Sequence, residues 1–92
     1  MLIKEIQRIV CAACLYDDGT IIVSARHYDT LMHNQLAIMN LSQRANEAQQ
    51  GFIDQWGNFL DRKEALEVAR RQGQIYRELN YNTEELYSEM LY

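Results

Sequence analysis

The sequence predicts an α+β fold: a small antiparallel sheet from two hairpins, with two main helices and a short C-terminal helix. Three observations carry that expectation. Asp17-Asp18-Gly19-Thr20 separates two apolar, β-prone runs, and Asp-Gly at such a join marks a tight hairpin because glycine takes the positive φ the turn requires. Residues 61–73 carry the start and stop signals of a helix, with Asp61 as cap and Gly73 just past the end. The chain has 92 residues, 48% of them hydrophobic, which is enough for one domain, residues 1–92, around one core.

In chain order, the run Ile9–Tyr16 is continuously apolar and fits a strand buried on both faces. The return strand is Thr20–Ala25. Tyr28, Leu31, Met32, Gln35, Leu36 and Met39 then recur at helical spacing, a stripe broken only at Gln35, with Asp29 or Thr30 as N-cap. Residues 40–50 lack a clear period and read as loop or frayed helix. Residues 52–54 and 58–60 pair around Gln55-Trp56-Gly57 as a second hairpin. A helix over 62–72 follows, where Asp61-x-x-Glu64 resembles a capping box. Ala65, Leu66, Val68 and Ala69 form its buried stripe. Near the end, Asn82 or Thr83 caps a short helix bearing Leu86, Met90 and Leu91. The stretch from Tyr76 onward holds four of the six tyrosines, which pack on the body or on a partner subunit.

Composition narrows the function. Net charge is −4, from nine basic and thirteen acidic residues. That balance argues against long DNA or RNA, whose binding rests on neutralising phosphates, but not against a small anionic nucleotide. Cys11 and Cys14 sit within the apolar strand, where residues three apart face opposite ways; they are expected to be reduced and buried. No second cysteine pair completes a zinc site. The run 9–16 is far short of the ~20 residues a membrane-spanning helix needs. His27, Asp29 and His33 offer metal donors on paper, with nothing convincing to complete a site. Ser24, Ser42, Ser88, Cys11 and Cys14 are candidate nucleophiles, none in a recognisable elbow, and the four glycines form no phosphate loop. What remains is a pocket for a flat, charged ligand. Phe52 and Trp56 offer faces, while Arg62, Arg26 and Arg77 offer phosphate partners. The same aromatics also fit a plain core corner.

Gly51-Phe52, Gly57-x-Phe59, Asp61-Arg62-x-x-Ala65, Gly73-Gln74 and Leu86-x-Ser88-Glu89 together resemble a family of small phage proteins, the Thoeris anti-defence proteins of the first type. The Arg-His segment at residues 25–29 is similar too, and the resemblance covers most of residues 20–92. Met90 stands where the family pattern has Asp, and the chain is short for the family. The resemblance implies a sponge rather than an enzyme, without a cofactor, acting in the host bacterial cytoplasm. Such proteins bind a cyclic ADP-ribose isomer, such as glycocyclic ADP-ribose, and hold it intact. Relatives form dimers or hexamers with pockets at subunit interfaces, and some also hold the cyclic trinucleotides of CBASS defence. On that basis Phe52 is expected to stack the adenine. Arg26, Arg62 and Arg77 are expected to meet phosphates, with His27 beside them, and Asn58 and Asp61 to read base or ribose edges. Trp56 is an alternative subunit contact. A sponge needs nanomolar affinity, about −12 kcal/mol, which favours a closed interface pocket and so a homo-oligomer. The competing reading is a small structural or interaction protein with no ligand.

Overall fold

The computed structural model describes residues 6–41, 48–77 and 84–91. Strands β1 (Ile9–Leu15), β2 (Ile21–Ser24), β3 (Gln49–Asp54) and β4 (Phe59–Asp61) form one sheet in the order β2-β1-β3-β4. Every neighbouring pair is antiparallel. Helix α1 (Thr30–Ile38) lies between β2 and β3 in sequence, and α2 (Arg62–Arg71) follows β4 directly. A 3-10 turn, Ser88–Met90, takes the place of the expected terminal helix. The caps expected for it at Asn82 and Thr83 lie outside the described residues.

Both predicted hairpins form, and the β1–β3 pair joins them into a single sheet. In the first turn the Gly19 N–H donates to the Tyr16 carbonyl at 3.0 Å, and Gly19 has φ of 89°. Residues 49 and 50, expected to be loop, belong to β3 because they pair with Leu15 and Cys14. A one-residue irregularity in β1 between Ile9 and Cys11 turns Ile9 inward and leaves Val10 49% exposed.

The register places Ala12, Cys14, Ile22, Phe52 and Leu60 on one face of the sheet. Both helices cover that face. On the α2 side, Ile9, Ala12 and Phe52 pack with Ala65, Val68, Ala69, Leu86 and Met90. On the α1 side, Cys14, Tyr16 and Ile22 pack with Met32, Leu36 and Leu41. The sequence expectation of a strand enclosed on both faces therefore holds for Ala13, which is buried between Val23 and Gly51, and fails at Val10. Cys14 lies under α1 while Cys11 is half-buried on the opposite side, and both are free thiols. Burial pushes both thiols up, which favours the protonated form over the nucleophilic thiolate.

The break in the α1 stripe has a structural cause. Gln35 Nε2 donates to the Val23 carbonyl at 2.5 Å, and the Val23 N–H donates to Gln35 Oε1 at 3.3 Å. β2 is an edge strand, so this side-chain amide stands where another strand would pair. Met39, the last residue of the predicted stripe, caps α1 and is exposed. Among the described residues, no helix is long and apolar enough to cross a membrane.

Candidate functional site

The junction of β4 and α2 has no linker, so the cap of the helix is also the end of a strand. Asp61 Oδ1 accepts from the Glu64 N–H at 2.8 Å, and Glu64 Oε1 accepts from the Asp61 N–H at 3.1 Å. This reciprocal capping box fixes the position of Arg62, the first helical residue. Its Nη1 donates to the Leu86 carbonyl at 2.8 Å and its Nη2 to Gln50 Oε1 at 2.6 Å. The Leu86 N–H returns a bond to the Arg62 carbonyl at 2.9 Å. The guanidinium carbon stands 4.8 Å from the centre of the Tyr87 ring and 6.0 Å from that of Phe52. Arg62 thus ties the C-terminal segment to the sheet and stands between two aromatic rings.

Beside it opens a cleft of about 510 Å³, lined by Ala48, Gln50, Asp61, Arg62, Lys63, Glu85 and Tyr87. Two cations, two carboxylates and one aromatic ring share a single concave surface. An anion suits Arg62 and Lys63, a flat heterocycle suits Tyr87, and hydroxyl donors suit Asp61 and Glu85.

The predicted site residues separate into three groups. Asp61 and Arg62 line the cleft, although Asp61 uses one carboxylate oxygen as helix cap. Phe52 and His27 lie behind it. Phe52, expected to stack a base, is 0% exposed and part of the core. Its inward place on β3 follows from pairing with Ala12 and Leu60, so in the single chain it supports the cleft wall instead of forming it. His27 Nε2 donates to the Gly51 carbonyl at 2.8 Å and meets the Phe52 ring edge-on at 5.2 Å. Burial first, and then the positive charge of Arg62, push His27 down from its ordinary value. Arg26, Asn58 and Arg77 do not line the cleft. Arg26 precedes α1, where its N–H donates to Asp29 Oδ2 at 3.2 Å. Asn58 is bound through its backbone and side chain to Asp54, at 2.9 and 3.1 Å. The Arg77 guanidinium lies over Tyr76 at 5.3 Å.

Among the described residues, no group of three or more His, Cys, Asp or Glu is placed to hold a metal ion. Asp29, a paper ligand, is the N-cap of α1 and takes the Ser24 hydroxyl at 2.6 Å. Those bonds, the one from Ser24 first, hold its carboxyl below the usual range.

Sequence reasoning missed Gln50, Lys63, Glu85 and Tyr87. For Lys63 a signal existed. Arg62-Lys63 puts two cations in the first turn of a helix, where the dipole disfavours positive charge, so the pair stands out in the sequence. Gln50, Glu85 and Tyr87 come together only through folding.

A family model described as "Phage T4 y16D protein" matches residues 8–92. No curated protein and no solved structure gives a significant match. The chain belongs to the phage T4 y16D protein family.

Proposed function

We propose that this phage-family protein sequesters a small anionic nucleotide signal of the cyclic ADP-ribose class, with glycocyclic ADP-ribose as the first candidate, and releases it unchanged. Cyclic trinucleotides are a second ligand class on the same reading. The single observation that carries it is the Arg62–Lys63–Tyr87 wall of the cleft, which offers charge and a stacking surface side by side. The volume of about 510 Å³ lies within the roughly 300–1,000 Å³ of small-molecule sites. The resemblance through Gly51-Phe52 and Asp61-Arg62 supports the same ligand class. Tyr87 takes the base-stacking part, because Phe52 is enclosed.

The cleft of one chain is open, and a neighbouring copy in a dimer or hexamer is the proposed closure, acting in the host cytoplasm. Calorimetric titration with glycocyclic ADP-ribose tests the reading, followed by heat release and mass spectrometry of the ligand. Tight binding with intact recovery supports a sponge. A changed product makes it an enzyme, and no heat with either ligand class leaves an interaction protein. One observation favours that last reading: Leu31 and Ile38 of α1 stand 58% and 85% exposed, an apolar surface suited to a partner.

A further inference from the structure

We propose that His27 is a positioning residue for Arg62: it clamps the Gly51–Phe52 step of β3 on which the guanidinium rests, and an anion taken up by Arg62 draws a proton onto its ring. This deepens, and rests on, the reading of the cleft as an anion site.

The residues form a continuous column. His27 Nε2 holds the Gly51 carbonyl at 2.8 Å. Its ring meets the next residue, Phe52, at an interplanar angle of 89°. Arg62 stands 6.0 Å from the centre of that same ring and 4.8 Å from Tyr87 at the cleft. Gly51 admits no side chain in this step, because any Cβ there collides with the Leu60 carbonyl and the Phe59 ring. His27 reaches over β3 through a sharp reversal, since Tyr28 has φ of 56°, a conformation costly for a non-glycine residue.

The groups that act on the His27 proton come from four elements. From α2, Arg62 opposes a proton on the ring, as does burial itself. The Gly51 and Ala13 carbonyls of β3 and β1 favour one, and so does Glu89 of the C-terminal turn. An anion on Arg62 cancels the positive charge that opposes the imidazolium. By linkage the proton then strengthens anion binding to the same degree.

The chain has only two histidines, so their proton titrations are readily assigned by NMR with His33→Asn. In ligand-free protein the His27 titration moves to higher pH in Arg62→Gln and stays in place in Arg62→Lys, which keeps the charge. ADP-ribose is the binding probe, because its diphosphate diester keeps its charge where histidine titrates, about pH 5 to 8. Calorimetry in two buffers of different ionisation enthalpy then shows proton uptake on binding. Each pKa unit gained on binding tightens the complex about tenfold at the acid end. His27→Gln, which keeps a donor for the Gly51 carbonyl, still binds but loses both the uptake and the pH dependence. A His27 titration that is the same in Arg62→Gln as in Arg62→Lys overturns the coupling whether or not ADP-ribose binds. Binding without proton uptake overturns it as well. A shifted His27 titration with no binding at any pH overturns the anion reading of the cleft instead.

Discussion

Phe52 and Tyr87 flank one guanidinium, yet substitution separates them. Phe52 is enclosed among Ile9, Ala12, Ala65 and Leu86, so Phe52→Ala opens a cavity and costs about 3–5 kcal/mol. Thermal melting is expected to show a large fall in Tm or no folded protein. Tyr87 packs on that core only in part and lines the cleft. Tyr87→Leu keeps an apolar contact for the core but removes the ring, so the protein is expected to melt within a few degrees of the parent and bind glycocyclic ADP-ribose at least tenfold more weakly. Equal binding by Tyr87→Leu and parent would remove the stacking role. Arg62 combines both kinds of work. Arg62→Lys retains a charge but loses the planar fork that serves Leu86 and Gln50 together. It is expected to weaken binding and lower stability at once, by an amount on the order of one part-buried hydrogen bond, about 1–2 kcal/mol. Chemical denaturation measures the second part.

At the scale of elements, glutamine amides repeatedly stand in for backbone. Gln35 pairs with both groups of Val23, and Gln74 does the same for Ile9, at 3.0 and 2.8 Å. Gln55 bridges the Arg8 N–H and the Ile6 carbonyl. Gln35 and Gln74 satisfy strand groups on the side where no strand pairs with them, and Gln55 does the same for the segment just before β1. Gln35→Ala is expected to leave the β2 edge open between exposed Ile21 and Leu31 and to raise aggregation. Light scattering during mild heating checks this, and scattering equal to the parent's would show that the edge has other protection. The same residue shows what was legible beforehand. Local signals placed the Asp-Gly hairpin and the capped helix and narrowed the first helix's cap to Asp29 or Thr30, of which the fold uses Asp29, because turns and caps are determined within a few residues. Gln35 looked like a defect in a stripe, since its partner lies twelve residues upstream on an edge that exists only in the sheet. Residues 49–50 were obscure for the same reason: glutamine has no strong strand preference, and pairing with Cys14 and Leu15 made them strand. The cleft was legible only at Asp61 and Arg62, because these mark a helix start. Tyr87 and Glu85 reach it from the far end of the chain.

For the whole molecule, the polar groups set how stability responds to acid, and two separate losses are expected. His27 is pushed down from its ordinary 6.5 by burial and by Arg62, so the folded state prefers it neutral. The associated stability is full above about pH 6.5, the unfolded value, and falls as pH drops from there through the lower folded pKa, because the unfolded chain takes the proton first. Asp54 and Asp29 act further down. Asp54 is 1% exposed, and burial alone would raise its carboxyl. Donors from Gln7, Trp56 and Asn58, at 2.9 to 3.1 Å, outweigh that and hold it below its ordinary 3.8. Asp29 is lowered from the same value, by Ser24 and then Met32. Both contribute stability that is complete above the ordinary carboxylate range and disappears as pH falls through their depressed folded values. Urea midpoints measured across this range are therefore expected to be flat near neutrality, to decline first below about pH 6.5 and to drop again below about pH 4. Two variants assign the steps. His27→Gln keeps a donor to Gly51 but cannot titrate, so it removes the upper decline and leaves the lower. Asp54→Asn keeps the size of the side chain but weakens its hold on the turn, so it lowers stability at neutral pH and flattens the acid drop. A parent profile without the upper decline would mean that His27 is as easily protonated in the fold as in the unfolded chain, and the column from His27 to Arg62 would then carry no electrostatic strain.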